Sequence, residues 1–401
     1  MKKQPTVLCF ASYEKGAEFM RECKRQGCRV ILLTSKSLEF AGWPRESLDQ
    51  VYYIPDVNKE WNMNDVIYGV SYMARTEDID IIVALDDFDV EKAAAVREHL
   101  RLPGMGDTTA RYFRDKLAMR TRAKEVGINV PEFIHVLNHN RINEFADRVA
   151  YPYVIKPRLQ AGAIGIKKAH NKDEMWEVIN RLGDQQSFYL IEQFVPGEVY
   201  HVDSIIYGKK VVFQIASKYG KPPMEVSHQG RVFTTSTVER GSDEEKALFD
   251  MNRDVLQAFG IVRGVSHSEY IRSESGDYYF LETSARVGGA HIAELVEAAT
   301  GVNLWAEWAK IELHPTDGLY EMPKDKGNYG GLLISLAKQE YPDTSAYNDP
   351  EIWWRMNKQH HAGLIVSSPD PKRVKELVDS YTSRYYNDFF ASQPVPDKPT
   401  A

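Results

Sequence analysis

Cysteine is scarce. Cys9, Cys23 and Cys28 are the only three in 401 residues. They cannot all pair internally and follow no zinc-ligand spacing. Three such thiols read as reduced side chains of a cytoplasmic protein. Long apolar runs are missing too. No stretch approaches the ~20 apolar residues that a membrane span needs. The run after Lys2 and Lys3 is too short for a signal peptide. Positive charge is not in excess: the net charge is −7, which leaves no electrostatic footprint for nucleic acid. A phosphate site needs only local cations and stays open. Repeats, heptads and low-complexity tracts are absent, and neither G-x-x-x-x-G-K-[ST] nor G-x-G-x-x-G occurs.

What is present fits a soluble protein of two or three units, with 43% hydrophobic and 27% charged residues. "TVLCFAS", "RVILLTS" and "DIDIIVALDD" are apolar on both faces and alternate with helical runs. This predicts a parallel, Rossmann-like α/β unit over residues 1–106, ending where Pro103, Gly104 and Gly106 break the pattern. "DTTARYFRDKLAMRTRAKEVG" then reads as one helix capped by Asp107 or Thr108. Short strands and hairpins follow, with a polar, turn-rich stretch over 222–241 and an apolar helix from about residue 290 to 313. Residues 107–313 therefore form an α+β unit. Residues 314–401 read as a C-terminal extension: a strand ("GGLLISLA"), a Trp-rich stretch ("EIWWRMNKQHH") suited to core or to a homodimer contact, and a strand followed by a capped helix.

The most informative feature is a hairpin. "VSHSEYI" and "YYFLETS" flank "RSESGDY", and a two-residue turn at Ser275-Gly276 gives glycine the positive φ. That centre places Glu269 opposite Glu282, and His267 opposite Ser284, all on one side. Two carboxylates directly opposite lie roughly 5 Å apart and repel. They share a proton, bind a cation, or stay exposed and screened. A glycosidase-like acid pair is a further alternative, though no sugar-binding aromatic cleft is evident. Ser284 adds a neutral oxygen, and Mg²⁺ favours carboxylates with phosphate oxygens.

Other signals are individually weak. In "VIKPRLQAGAIGI", Lys156 ends an apolar strand and a loop with Gly162 and Gly165 follows, able to bring backbone N–H groups to phosphate. In "FYLIEQFVPGE", Glu192 to Val195 offer backbone edge groups to a flat base, with Gln193 facing out; a plain strand end fits as well.

Taken in order, "RDKLAMR", "VIKP", the glycine loop, "IEQFVPGEVYHVD", "SHSEYI" and "FLETSARVGG" resemble the ATP-grasp enzymes. The resemblance implies two α+β subdomains closing on ATP. Lys116 and Lys156 then contact phosphates, with Gly162 and Gly165 in the glycine loop. Glu192, Gln193 and Val195 hold adenine, and Glu198 or His201 the ribose. Glu269 and Glu282 hold Mg²⁺, with Mn²⁺ as a substitute. The third metal ligand of the family is usually Asn, where this chain has Ser284, and the glycine loop carries Ala163 where a Ser is common.

The resemblance also implies a reaction. ATP phosphorylates a carboxylate, and an amine attacks the acylphosphate to give an amide or peptide bond, as in L-amino acid ligases and carnosine-type synthases. Arg286, on the Glu282 face, suits the acyl group; a salt bridge with Glu282 is its structural alternative. Lys218, His228 and Arg231 are candidates for the carboxylate substrate, or solvated loop residues. His291 either lines that site or caps a helix. The competing readings are a biotin carboxylase-like enzyme, for which no Met-Lys-Met carrier motif is present, and a non-catalytic ATP-binding module.

Overall fold

The computed structural model describes residues 4–57, 60–162, 164–314, 318 and 320–392. Its first unit comprises β1 (Thr6–Ala11), α1 (Ala17–Arg25), β2 (Arg29–Ser35), β3 (Gln50–Ile54), α2 (Met63–Met73), β4 (Ile81–Ala84) and α3 (Val90–Leu100). The four strands are all parallel, in the order β3-β2-β1-β4. Every residue of β1 is buried, the pattern expected for a strand covered on both faces. Strand β3 was not expected; its "QVYYI" run is short and half exposed at the sheet edge.

Two helices follow, α4 (Asp107–Arg111) and α5 (Lys116–Glu125), where the pattern predicts one. The break is made at Asp115. Its carboxylate accepts the Leu117 N–H at 3.0 Å and the Arg158 Nε at 2.9 Å, so it starts a new helix rather than continuing the old one. Gly106, not Asp107 or Thr108, precedes α4, without a side-chain cap. The small second sheet consists of β5 (Phe133–His135), α6 (His139–Arg148), β6 (Tyr153–Pro157), β7 (Lys167–Ala169), α7 (Lys172–Leu182) and β8 (Tyr189–Gln193). Its strands are antiparallel in the order β5-β8-β6-β7.

The remainder builds one eight-stranded antiparallel sheet. Its elements are β9 (Gly197–Tyr207), β10 (Lys210–Tyr219), α8 (Pro223–Gln229), β11 (Phe233–Thr237), α9 (Asp243–Phe259), β12 (Gly264–Ser273), β13 (Tyr278–Ser284), α10 (Ile292–Thr300), α11 (Leu304–Leu313), β14 (Tyr329–Leu336), β15 (Ile352–Arg355), β16 (His361–Ser368) and α12 (Pro371–Asp388). The order is β13-β12-β9-β10-β11-β14-β16-β15, so the strands beyond residue 313 join the same sheet as those before it. The Trp-rich stretch is the edge strand β15. Helix and strand replace the turn-rich reading of 222–241: β11 is a run of hydroxyl residues, Thr234 to Thr237, whose strand character its polarity hides. The apolar run near 290–313 is also two helices, parted at Gly301 (φ 77°) and restarted by Asn303, which accepts the Ala306 N–H at 3.0 Å.

The two faces of this sheet differ. Tyr200, Val202 and Tyr270 pack under α9 on one face. On the other, Ile205 and Val265 pack under α10 and α11. Further along those same strands, Val199, Glu269 and Ile271 are left to line an open cleft. Alternation puts them all on one face.

Candidate active site

The cleft, about 840 Å³, lies between the small sheet and the uncovered end of the large one. Both acids of the hairpin reach it. Glu269 pairs directly with Glu282, and His267 with Ser284, as the sequence predicts. The route to that register differs from the expected one. Next to the turn the pairs are Tyr270 with Phe280 and Arg272 with Tyr278, one residue out of step with a Ser275-Gly276 turn. The loop is longer, Glu274 to Gly276, with Gly276 at φ 93° and the Gly276 N–H bonded to Ser273 O at 2.9 Å. A bulge at Leu281 restores the register between Glu269 and Tyr270. Arg120 donates to the Leu281 carbonyl and holds the bulge.

Cations face these acids. Lys116, the first residue of α5, places Nζ 2.7 Å from Glu282 Oε2 and 2.6 Å from the Gln160 carbonyl. Lys156, at the end of β6, places Nζ 2.6 Å from Glu192 Oε2, and Arg120 Nε lies 2.8 Å from Glu192 Oε1. Burial lowers the Lys156 pKa to about 8, outweighing the pull of Glu192. Burial would raise Glu282, but Lys116 and Lys156 outweigh it and hold the carboxyl below the usual range. Gly162 and Gly165, both at positive φ, and Gln193 and Val195 line the same cleft. Ala163 lies outside the described residues. Lys167 and Lys168 join the lining as well, Lys168 resting 3.8 Å above the Phe194 ring.

Glu269 is held from behind. The Tyr219 hydroxyl donates to its Oε1 at 2.8 Å, and His267 Nε2 lies 3.7 Å from the same oxygen. His267 Nδ1 sits 2.9 Å from Asp203 Oδ1, and His201 Nδ1 2.7 Å from Asp203 Oδ2. Burial opposes charge on His267, but Asp203 prevails and raises its pKa to about 9. His201 is completely buried here, with its other nitrogen 2.8 Å from Thr235 Oγ1, inside the wall rather than at its surface. The first glycine of "ARVGG" has a reason in this wall: a Cβ on Gly288 would stand 2.9 Å from Asp203 Oδ1 and 3.0 Å from His267 Nδ1.

Other residues singled out from the sequence are placed differently. Arg286 makes no pair with Glu282; its Nε donates to Asp87 Oδ2 at 2.8 Å and its Nη1 to Val287 O at 2.9 Å. Asp87 follows β4, so this contact ties the first unit to the cleft wall. Glu198 and Lys218 pair with each other at 2.6 Å. They share the Tyr200 face of the sheet, turned away from Glu269, because strand parity puts them there. Arg231 pairs with Glu225 at 3.1 Å, and Glu225 overhangs the cleft from α8. The side chain of His228 lies outside the described residues. His291 takes the position before α10 without a side-chain cap bond, and its ring lies tilted against Trp354, centroids 4.5 Å apart. Arg120 was missed by the sequence reading. It lies four residues after Lys116, on the same helical face, a spacing that could have found it.

Cations, paired oxygen ligands and a glycine loop around one cleft suit a hard divalent cation carrying phosphates. The comparisons agree. Residues 149–294 match the ATP-grasp domain family. The chain is 25% identical over 281 residues to an L-arginine-specific L-amino acid ligase of Bacillus subtilis, covering 69% of this chain and 67% of that protein. It is 27% identical over 216 residues to the carbamoyl phosphate synthase large chain of Acidobacterium capsulatum, covering 53% of this chain but only 19% of that one. A solved L-amino acid ligase from Bacillus licheniformis superposes with a TM-score of 0.78 at 18% identity, over 98% of this chain and 100% of its own. Residues 149–294 thus match an ATP-grasp domain, and the chain is similar in sequence to an ATP-dependent ligase and in fold to another.

Proposed function

We propose that the chain is a carboxylate–amine ligase that activates an acid as its acylphosphate and joins it to an amine, releasing ADP and phosphate. The observation that supports this most is the facing of Lys116 and Lys156 with Glu269 and Glu282 in one cleft. Lys116 and Glu282 neutralise each other. Mg²⁺ with ATP, when bound, supplies charge neutralisation at the transferring phosphoryl group. Glu269 and Glu282 are the residues to hold the metal, with Ser284 beside them. Lys116 and Lys156 turn to phosphate oxygens, and the Gly162–Gly165 loop covers them. Gln193 and Val195 offer backbone groups to the base.

Arg286 is the group for the acyl end. Asp87 and Val287 take its flanks, which orients the guanidinium across the junction with the first unit. The substrates are a small carboxylate and an amine. Cys9, Cys23 and Cys28 are buried free thiols, which supports a reducing, cytoplasmic setting. No described helix is long and apolar enough to cross a membrane. Trp353, 45% exposed on the edge strand β15, is the homodimer contact to test.

The test is turnover. The protein is mixed with ATP, Mg²⁺ and a panel of amino acids and other acids, and ADP, phosphate and the condensed product are measured, the last by mass. ATP binding without turnover on any pair would refute the ligase reading. Turnover on bicarbonate alone would move the protein to the carboxylases.

A further inference from the structure

A second cavity, about 250 Å³, lies between the first unit and the large sheet. Its walls come from β4, α3, the turn at residues 103–106, and the starts of β12 and the end of α11. Two guanidiniums, Arg97 and Arg263, and one carboxylate, Glu312, line it. Glu312 is already committed: Arg263 Nε donates to its Oε2 at 2.8 Å, and Trp308 Nε1 to its Oε1 at 3.1 Å. Arg97 is left without an acid. It is 7% exposed, and its Nε and Nη1 donate to the carbonyls of Met105 at 3.0 Å and Ile82 at 2.8 Å. Both acceptors are neutral, and among the described residues no carboxylate forms an ion pair with it.

A buried cation whose hydrogen bonds go only to carbonyl dipoles is costly, because no ion pair repays its desolvation. Burial lowers Arg97 to about 10, outweighing the pull of Glu312. Two cations and one anion leave the cavity one positive charge in excess. Gly104 leaves room at its wall: a Cβ there would press on Arg97 Cδ at 2.7 Å. The volume equals that of several waters at about 30 Å³ each. That suits a small oxyanion and is far below the nucleotide cleft.

We propose that this cavity binds a small oxyanion, a phosphate or short carboxylate, held between Arg97 and Arg263. The anion would bridge the first unit, through α3, to the turn before β12. This site does not depend on the ligase reading.

The test uses the full chain and inorganic phosphate, then succinate, at constant ionic strength, read by thermal shift and calorimetry. Because phosphate would also enter the nucleotide cleft, the K116Q/K156Q double variant is run beside the wild type. Phosphate or succinate should raise the melting temperature of both. R263Q should bind at least tenfold more weakly, and R97Q likewise. R97Q risks misfolding, since Arg97 ties two backbone carbonyls; Arg263 is at the cavity wall and paired, so R263Q keeps the test decisive. The proposal is overturned if neither anion binds, if binding disappears with the two lysines, or if R263Q binds as the wild type does.

Discussion

Replacing Arg120 by methionine should be among the most damaging conservative-volume changes in this protein. Arg120 is fully buried, sits 2.8 Å from Glu192 and donates to the carbonyl of the bulge residue Leu281. The Arg120–Glu192 contact is short but poorly aligned as a hydrogen bond, so its worth is mainly Coulombic. Methionine fills a similar space, so no large cavity term enters. Removing one partner of a buried ion pair costs about 3–5 kcal/mol. Glu192 keeps Lys156 at 2.6 Å, which favours the lower end. An orphaned carbonyl at Leu281 adds about 1 kcal/mol. The expected loss is therefore about 4 kcal/mol, read from the urea midpoint at constant slope. A second signature separates this from general damage. Arg120 is one of the charges that lower Lys156, so the variant should titrate Lys156 above about 8. A loss below about 1 kcal/mol with an unchanged Lys156 titration would refute the role given to Arg120.

Glu282→Gln should lower turnover by about 10²-fold or more while leaving the circular dichroism spectrum unchanged, since this acid meets the cleft rather than the core; unchanged activity would remove it from the metal site. Tyr219→Phe deletes the 2.8 Å hydrogen bond to Glu269. The Mg²⁺ concentration for half-maximal rate should rise roughly five- to tenfold, about 1 kcal/mol, and an unaltered Mg²⁺ titration would count against it. The folded pKa of Lys156, about 8, lies below the ordinary lysine value of 10.5. Its charge is thus present below pH 8 and lost above it, so ATP affinity should fall as pH rises through 8, and binding near pH 8.5 should take up protons in calorimetry across buffers. The same buried cation costs stability at low pH, and that cost fades as pH rises toward the unfolded value; affinity flat to pH 10 would contradict this.

Much of this site was legible because it is local. Lys156 and the acid pair sit in short strands whose period fixes their direction, and Lys116 was legible through the resemblance. The hairpin shows the limit of that reasoning. Counting residues across an assumed turn gave the right partners for Glu269, yet the turn is a residue longer than assumed and the bulge at Leu281 cancels the difference. Parity also redirects two residues: the resemblance implies Glu198 as a ribose contact and Lys218 is a candidate for the carboxylate substrate, but alternation along β9 and β10 points both at α9. Arg286 and Asp87 are 199 residues apart, and no period in one sequence can announce such a pair. The helix break at Asp115 was readable as a cap, but the run "ARYFRDKLAMR" around it is helix-favouring on both sides.

The bulge at Leu281 divides the hairpin into two mechanical segments. Between it and the tip, the strands carry no cleft acid, and Glu274 and Ser275 of the turn are exposed. A length change at the tip has a place to be absorbed before it reaches Glu282. The tip is therefore a site for grafting an epitope or a fluorophore that would report on the cleft without displacing Glu269 or Glu282.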